Sequence, residues 1–291
     1  MKKDQMLSGR RAVLRLAAAL GATATVGALA ADRLAAPDPA TGAAAAPRGP
    51  SGAGRAGPAA GPQAPAARLS PSAYRLQPMT EYAPPAFKRA LPPVRRRPFL
   101  SMSGLGRSMV LTFDDGPDPR YTPGILETLR HYDCRAMFFV CGEMAVDNQD
   151  LLREMQDDGH IVGNHSWSHP LIPKLRPSRI RQELGSTSEV IEKALGTAPL
   201  WYRAPYGAWN RLSFEIGAEL GMEPLAWTVD TLDWTEPGTG TIVRRVLDGA
   251  APGVVVLSHD AGGNRSQSVA ALRRYLPELL DAGYHITVPR R

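Results

Sequence analysis

From residue 107 onward, short apolar runs alternate about seven times with amphipathic stretches. The apolar runs are rich in β-branched and aromatic residues, as buried strands are. They read SMVLTF, CRAMFFV, HIVGN, PLWYR, EPLAWTV, GVVVLSH and YHITV. Strands that alternate with helices in this way predict a parallel sheet or barrel, so the fold class we expect for residues 107–291 is α/β.

The stretches between these runs carry helix signals. Thr122 and Pro123 mark a helix start ahead of GILETLRHY. Further helical patterns run through DLLREMQDDG, PSRIRQELGSTSEVIEKALG, RLSFEIGAELG and VAALRRYLPELLDAG, and several of them end on a glycine. In folds of this kind, chemistry gathers where the strands end, which directs the search for a site to those positions.

The first 106 residues are of a different kind. Residues 1–35 hold paired arginines, Arg10 and Arg11, then an apolar run and small residues ending at Ala30. This is the pattern of a Tat-type export signal, or of a membrane anchor if it is not cleaved. Residues 36–70 are nearly all Ala, Pro and Gly, which predicts a disordered linker. Residues 71–106 form a basic, proline-broken arm, either a solvated tether or a segment that adheres to anionic wall polymer.

The charge is divided along the chain. Residues 1–106 carry 15 Lys and Arg against 4 Asp and Glu, whereas residues 107–291 carry 19 against 24. The part predicted to fold is therefore mildly acidic, which argues against a nucleic-acid partner. Its two cysteines, Cys134 and Cys141, would lie about 23 Å apart on one strand. That is too far for a disulfide, so we expect both to be small buried hydrophobic residues.

Polar residues follow five of the predicted strands. These sets are Asp114 and Asp115, then His165 and His169, then Arg203 and Tyr206, then Asp230, Asp233 and Trp234, and finally His259 and Asp260. His165 and His169 are four residues apart, a spacing that brings two imidazoles together on a helical turn. Two histidines and one carboxylate leave an open position, as in catalytic zinc sites. The other histidines, His131, His160 and His285, have no such company and are expected to be structural.

The motifs TFDDGP, HSWSHP, RAPYG, DTLDW and LSHD, in this order and spacing, resemble those of carbohydrate esterase family 4, the NodB-like polysaccharide deacetylases. The resemblance covers about residues 107–289. It implies a distorted (β/α) barrel of about seven strands and a metal-dependent hydrolysis of acetyl groups on sugars, in which water bound to the metal attacks the acetyl carbon.

The resemblance also implies roles for individual residues. Asp115, His165 and His169 would bind the metal, Asp114 would be the general base and His259 the general acid. Arg203 would hold Asp114, and Asp233 would tune His259. On the substrate side, the implied residues are the Tyr206 backbone N–H for the oxyanion, Trp234 for the groove wall and Leu257 for the acetyl methyl group.

These roles lead to an exported de-N-acetylase acting on N-acetylglucosamine polymers, with peptidoglycan ahead of chitin-type oligomers. An O-deacetylase on acetylxylan and a non-catalytic carbohydrate-binding protein remain alternatives. Zn²⁺ is the expected metal, although Co²⁺, Ni²⁺, Mn²⁺ or Fe²⁺ suit the same ligands. We expect a monomer that meets a membrane only through its N-terminal segment.

The adjacent aspartates raise a geometric question, because successive side chains on a strand point to opposite faces. Gly116 and Pro117 indicate that the strand stops there, so Asp114 and Asp115 can flank one pocket. A metal at Asp115 and the guanidinium of Arg203 near Asp114 would compensate the two like charges.

Overall fold

The computed structural model describes residues 90–104 and 106–289. The predicted export signal at 1–35, the linker at 36–70 and the arm as far as residue 89 lie outside these residues. The strands are β1 (Ser108–Asp114), β2 (Met137–Val140), β3 (Ile161–Asn164), β4 (Trp201–Tyr202), β5 (Glu223–Pro224), β6 (Val229–Asp230), β7 (Val255–His259) and β8 (His285–Ile286). The helices are α1 (Thr122–His131), α2 (Gly142–Asp147), α3 (Gln149–Asp157), α4 (Pro177–Leu195), α5 (Arg211–Glu219), α6 (Thr239–Asp248) and α7 (Ser266–Asp281).

The strands form one sheet in the order β5-β4-β3-β2-β1-β7-β6, with β8 also paired to β1. The pairings between these strands are parallel. All seven residues of β1 are buried, as expected for a central strand with both faces covered. The α/β fold predicted from the alternation of strands and helices is therefore confirmed.

The sheet curls, and the chain path shows why. Strands β5 and β6 lie at opposite ends of the strand order, yet only residues 225–228 separate them in sequence. Five peptide steps reach at most about 18 Å. The edges of a flat seven-stranded sheet would be about 29 Å apart at a spacing of about 4.8 Å per strand. The two edges must therefore approach one another, which gives the distorted barrel that the motif resemblance implies.

The last residues of the arm, from about residue 95 to residue 101, lie where the two edges of the curled sheet approach one another. Phe99 forms a parallel bridge with Leu225, and Ser101 forms an antiparallel bridge with Val254 just before β7. Arg95 pairs with Glu223 of β5 at 2.7 Å and stacks on the ring of Phe99. From residue 95 onward, the chain therefore makes specific contacts with the sheet.

The structure differs from the sequence expectation in two respects. EPLAWTV was expected to be one strand, but it divides into β5 and β6, so residues 90–104 and 106–289 contain eight strands rather than about seven. Helices α2 and α6 were not predicted. The five predicted helices are all present, as α1, α3, α4, α5 and α7.

Large apolar side chains from the sheet and from α1, α3, α6 and α7 form the largest core cluster. Cys134 and Cys141 are buried free thiols, as predicted. None of the helices in the described residues is long and apolar enough to span a membrane.

Candidate active site and metal centre

A cavity of about 700 Å³ opens where the strands end. It brings together residues from all five polar sets found in the sequence. Its walls include Asp114, Asp115, His165, His169, Tyr206, Asp230, Trp234, Leu257 and His259. Arg203 and Asp233 are buried directly behind this wall, each bonded to a residue that lines it.

Asp115, His165 and His169 meet at one point of the cavity. Their potential ligand atoms all lie within 4.8 Å of one another. Asp115 Oδ1 is 3.4 Å from the Nε2 atom of each histidine. The same oxygen is buried and has no hydrogen-bond partner among the described residues. A buried acceptor without a donor, facing two imidazole nitrogens, suits a divalent cation.

The backbone at Asp115 explains how two adjacent aspartates share this cavity. Strand β1 ends at Asp114, and Asp115 adopts a left-handed conformation with φ of 76°. The alternation of a strand therefore no longer applies to its side chain. Gly116 follows, and a Cβ atom there would lie 2.2 Å from an oxygen of the buried Asp260 carboxyl group. Only glycine fits this close approach.

The two histidines reach the centre by different routes. His165 follows β3, and its Nδ1 lies 2.8 Å from the carbonyl oxygen of Arg203. A carbonyl only accepts, so Nδ1 carries the proton and Nε2 keeps its lone pair towards Asp115. His169 lies in the following loop with φ of 53°, and Ser166 has φ of 67°. The pair was expected on a helical turn; instead, a loop with left-handed residues brings the rings to 5.0 Å.

Charge interactions within the cluster favour the ligand forms of Asp115 and His169, but not that of His165. Burial raises the pKa of Asp115, but the neighbouring imidazole of His165 and the charges of His259 and His169 outweigh it and lower that pKa to about 2. Burial and the neighbouring His165 lower the pKa of His169, which favours its neutral form. Burial lowers the pKa of His165, but Asp114 and Asp115 outweigh burial and raise it. A carboxylate and neutral imidazoles are the forms that bind metals.

Asp114 lies beside this trio, and a buried arginine binds one of its carboxylate oxygens. Arg203 Nη1 donates to Asp114 Oδ1 at 2.6 Å and to Thr112 Oγ1 at 2.8 Å. Its Nε and Nη2 donate to the carbonyl oxygens of Leu225 and Ala226. Asp114 Oδ2 faces His165 Nε2 at 3.6 Å. One carboxylate oxygen is thus bonded to the guanidinium, while the other faces the centre.

His259 also lines the cavity and has its own carboxylate partner. Asp233 Oδ1 lies 2.7 Å from His259 Nδ1, and its Oδ2 accepts from the His259 backbone N–H at 2.9 Å. Ser268 Oγ also donates to Asp233 Oδ2 at 2.6 Å. Burial lowers the pKa of His259, but the bond and charge of Asp233 outweigh it and raise that pKa to about 9. His259 is also the register partner of Asp114 between β7 and β1.

Three further predicted residues line the cavity. Leu257 is a buried apolar residue of β7. The side chains of Tyr206 and Trp234 stay exposed, at 68% and 55%. Tyr206 has φ of 60°, and its ring lies 4.6 Å from that of His169.

Sequence reasoning missed the residues that support the site from behind. Thr112 bonds Arg203, and Ser268 bonds Asp233. Thr112 lies 91 residues from Arg203 in the sequence, and Ser268 lies 35 residues from Asp233. Partners so far apart leave no local sequence pattern. His160 is buried and accepts the Ala136 backbone N–H at 3.2 Å. His131 and His285 are exposed, and none of the three histidines expected to be structural is among the residues that line the cavity.

Residues 103–225 match the family model described as polysaccharide deacetylase. A chitooligosaccharide deacetylase of Azorhizobium caulinodans is 34% identical over 189 residues, which cover 61% of this chain and 90% of that protein. A peptidoglycan-N-acetylglucosamine deacetylase of Listeria monocytogenes is 34% identical over 197 residues, which cover 68% of this chain. The match spans only 41% of the Listeria protein's length.

A solved structure shows the same architecture. It is a peptidoglycan N-acetylglucosamine deacetylase in complex with 4-naphthalen-1-yl-N-oxidanyl-benzamide, with a TM-score of 0.63 and 32% identity. The likeness covers 67% of this chain and 95% of that one. With the relative from Azorhizobium matched over nine tenths of its length, the chain belongs to the polysaccharide deacetylase family.

Proposed function

We propose that this protein removes the acetyl group from N-acetylglucosamine residues of a polysaccharide, with peptidoglycan ahead of chitin-type oligomers. The observation that supports this proposal most directly is that two residues with unlike partners line one cavity. Asp114 is bonded to a buried arginine, and His259 to a buried aspartate, with the cluster of Asp115, His165 and His169 beside them. Relatives named as deacetylases of these two substrates support the choice.

The metal ligands in this proposal are Asp115, His165 and His169, and Zn²⁺ is the metal that suits them best. Co²⁺, Ni²⁺, Mn²⁺ and Fe²⁺ prefer the same ligand types. When bound, such a cation polarises the acetyl carbonyl and lowers the pKa of water at the site.

Asp114 takes the proton from the attacking water in this mechanism. Its Oδ1 is occupied by Arg203, which leaves Oδ2 facing the cavity as the acceptor. The hydrogen bond from the guanidinium to Oδ1 fixes the orientation of the carboxylate, so that Oδ2 stays directed towards the cavity. The water oxygen then bonds to the acetyl carbon, and the electron pair of the carbonyl moves onto its oxygen.

The other residues act on the intermediate and its collapse. The backbone N–H of Tyr206 donates to the oxyanion. His259 then gives a proton to the sugar nitrogen as the C–N bond breaks, so acetate and a free amine leave. Asp233 keeps His259 protonated at neutral pH, because it raises the pKa of that imidazole.

Two apolar surfaces position the substrate in this proposal. The buried side chain of Leu257 packs against the acetyl methyl group, while the exposed ring of Trp234 forms a wall against which a sugar face can lie.

We further propose that residues 1–35 direct export, through a Tat-type signal, and that the enzyme acts at the cell wall. The relative from Listeria monocytogenes, whose name states that it deacetylates peptidoglycan, supports that location.

The test is release of acetate and free amine by the full chain, on purified peptidoglycan, chitooligosaccharides and acetylxylan. The protein is stripped of metal with a chelator and then reconstituted with Zn²⁺. Amine release from the first two substrates supports the proposal. Acetate release from acetylxylan alone would replace it with O-deacetylation. Binding to all three without release would indicate a non-catalytic carbohydrate-binding protein.

A further inference from the structure

Glu183 of α4 is buried outside the wall of the cavity, yet its carboxylate is bonded to the loop between the two histidines. Its Oε2 accepts from the backbone N–H groups of Trp167 and Ser168, each at 2.9 Å. Its Oε1 accepts from Ser168 Oγ at 3.0 Å and lies 2.7 Å from Nη2 of Arg179. The charge of a carboxylate makes such bonds shorter and stronger than those of a neutral acceptor.

This loop has a backbone that must be held in place. Ser166 and His169 both lie in the left-handed region, which persists in residues other than glycine only where the surroundings fix it. The opposite side of the loop is bonded to α2. There, the N–H groups of Gly142 and Glu143 donate to the carbonyl oxygens of Ser166 and Trp167, at 3.0 and 3.2 Å. The loop is therefore clamped between α2 and the carboxylate of Glu183.

The two histidines depend on this clamp to different degrees. His165 directly follows β3 and is also bonded to the Arg203 carbonyl oxygen through Nδ1. His169 is 29% exposed, and within the described part of the chain its ring makes no hydrogen bond through Nδ1. Its ring packs on Tyr206. The position of His169 Nε2 against Asp115 is therefore set mainly by the loop backbone.

We propose that Glu183 is a positioning residue of the metal centre: its carboxylate fixes the loop that places His169 against Asp115. The inference rests on the metal site of the proposed function, but it concerns binding rather than turnover. Glu183 contacts neither substrate nor metal in this arrangement and acts through the backbone of residues 167–168. Partners that orient a ligand in this way typically change metal affinity about tenfold to a hundredfold when they are lost.

The experiment is a Co²⁺ titration of the chelator-stripped full chain, followed by the absorption spectrum of the bound ion. Glu183→Ala is the main variant, and Glu183→Gln keeps a neutral acceptor for the two N–H groups. Glu189→Ala is the matched control, since Glu189 lies exposed on the same helix. We expect Glu183→Ala to bind Co²⁺ at least about tenfold more weakly with an altered spectrum. Glu183→Gln should fall between it and the wild type, and Glu189→Ala should match the wild type.

The possible results distinguish a failure of the role of Glu183 from a failure of the metal site itself. If folded Glu183→Ala binds Co²⁺ as tightly as the wild type and only melts earlier, Glu183 is structural and the inference is overturned. If that variant does not fold, Glu183→Gln decides in its place, and an unchanged affinity and spectrum overturn the inference. If the wild type itself binds no Co²⁺ or Zn²⁺, the metal site of the proposed function fails.

Discussion

Arg203 and Asp114 form a salt bridge of 2.6 Å in which both side chains are at most 3% exposed. The desolvation of two buried charges is offset only while both are present. In the metal-stripped protein, we expect Arg203→Met to lower the free energy of unfolding by about 3–5 kcal/mol, because it leaves the carboxylate unpaired. Urea denaturation in a chelator measures this loss.

The matched control for that variant is the double substitution Arg203→Met with Asp114→Asn. It leaves no unpaired charge, so it should regain part of the lost stability. If the free energy of unfolding lost by the double variant equals the sum of the losses in the two single variants, charge pairing does not explain the effect.

Asp115 and Asp114 should differ when each is substituted alone. Asp115→Ala removes one of three proposed ligands and should weaken Zn²⁺ binding strongly. Asp114→Asn keeps those ligands and should bind Zn²⁺ while turnover falls by about 10²–10⁴-fold, the usual contribution of a general base. Calorimetric Zn²⁺ titration and amine release measure the two effects. Equal loss of metal in both variants would refute this division of roles.

Asp233 should set the alkaline limit of activity. The pKa of His259 is raised to about 9, so its acid form is present below that pH and is lost as pH rises through it. A bound divalent cation adds positive charge and brings the limit below this value. Asp233→Asn removes the carboxylate that raises the pKa, so the descending limb of the pH–rate profile should move to lower pH. If the descending limb stays at the same pH in this variant, the titration that causes it belongs to a group other than His259.

The same pair should contribute to stability in a pH-dependent way. A raised folded pKa means that the contribution is complete below the unfolded value of about 6.5 and disappears as pH rises through about 9. In a chelator, the wild type should therefore lose stability over this interval, and Asp233→Asn should lose less of it. Chemical denaturation at a series of pH values measures the difference.

Gly116 should tolerate no side chain. A Cβ atom would lie 2.2 Å from an oxygen of the buried Asp260, so Gly116→Ala must displace that carboxyl group or the turn itself. We expect a loss of about 1–3 kcal/mol, the usual cost of overpacking, together with weaker metal binding. Gly185→Ala in α4 is the control, because nothing lies within 4 Å of a Cβ atom there. It should stabilise the protein by about 0.5–1 kcal/mol.

The sequence was most informative where a residue and its role are close together in the chain. Asp114, Asp115, His165 and His169 belong to short motifs at strand ends, and the structure brings them into one cavity. Glu183, Thr112 and Ser268 are ordinary polar residues within helical or apolar patterns, and only the fold brings them to their partners. Their contribution could not be predicted because a hydrogen bond over a long sequence separation leaves no periodic signal.

The misjudged elements have similar physical causes. EPLAWTV has the apolar content of one strand, but its middle crosses from one edge of the curled sheet to the other. The backbone N–H groups of Ala226 and Thr228 bond Phe99 and Val255 respectively, so the pairing partner changes within three residues. Helix α2 is only six residues long, and α6 is rich in Thr, Ile and Val, which favour strands. Helix α2 is thus too short to show a helical pattern, while the amphipathic pattern of α6, with Ile242, Val243 and Val246 on its buried face, is carried by residues typical of strands.

The register of β1 against β7 has a consequence for how such an enzyme could change. Asp114 and His259 are paired residues on neighbouring strands, so their backbones are kept about 4.8 Å apart by the sheet itself. Trp234 and Tyr206 stand on short turns at the rim. If the proposed roles hold, exchanging these turns changes the surface offered to the polymer while the proposed proton donor and acceptor keep their separation, which makes the rim the natural place to redesign substrate preference.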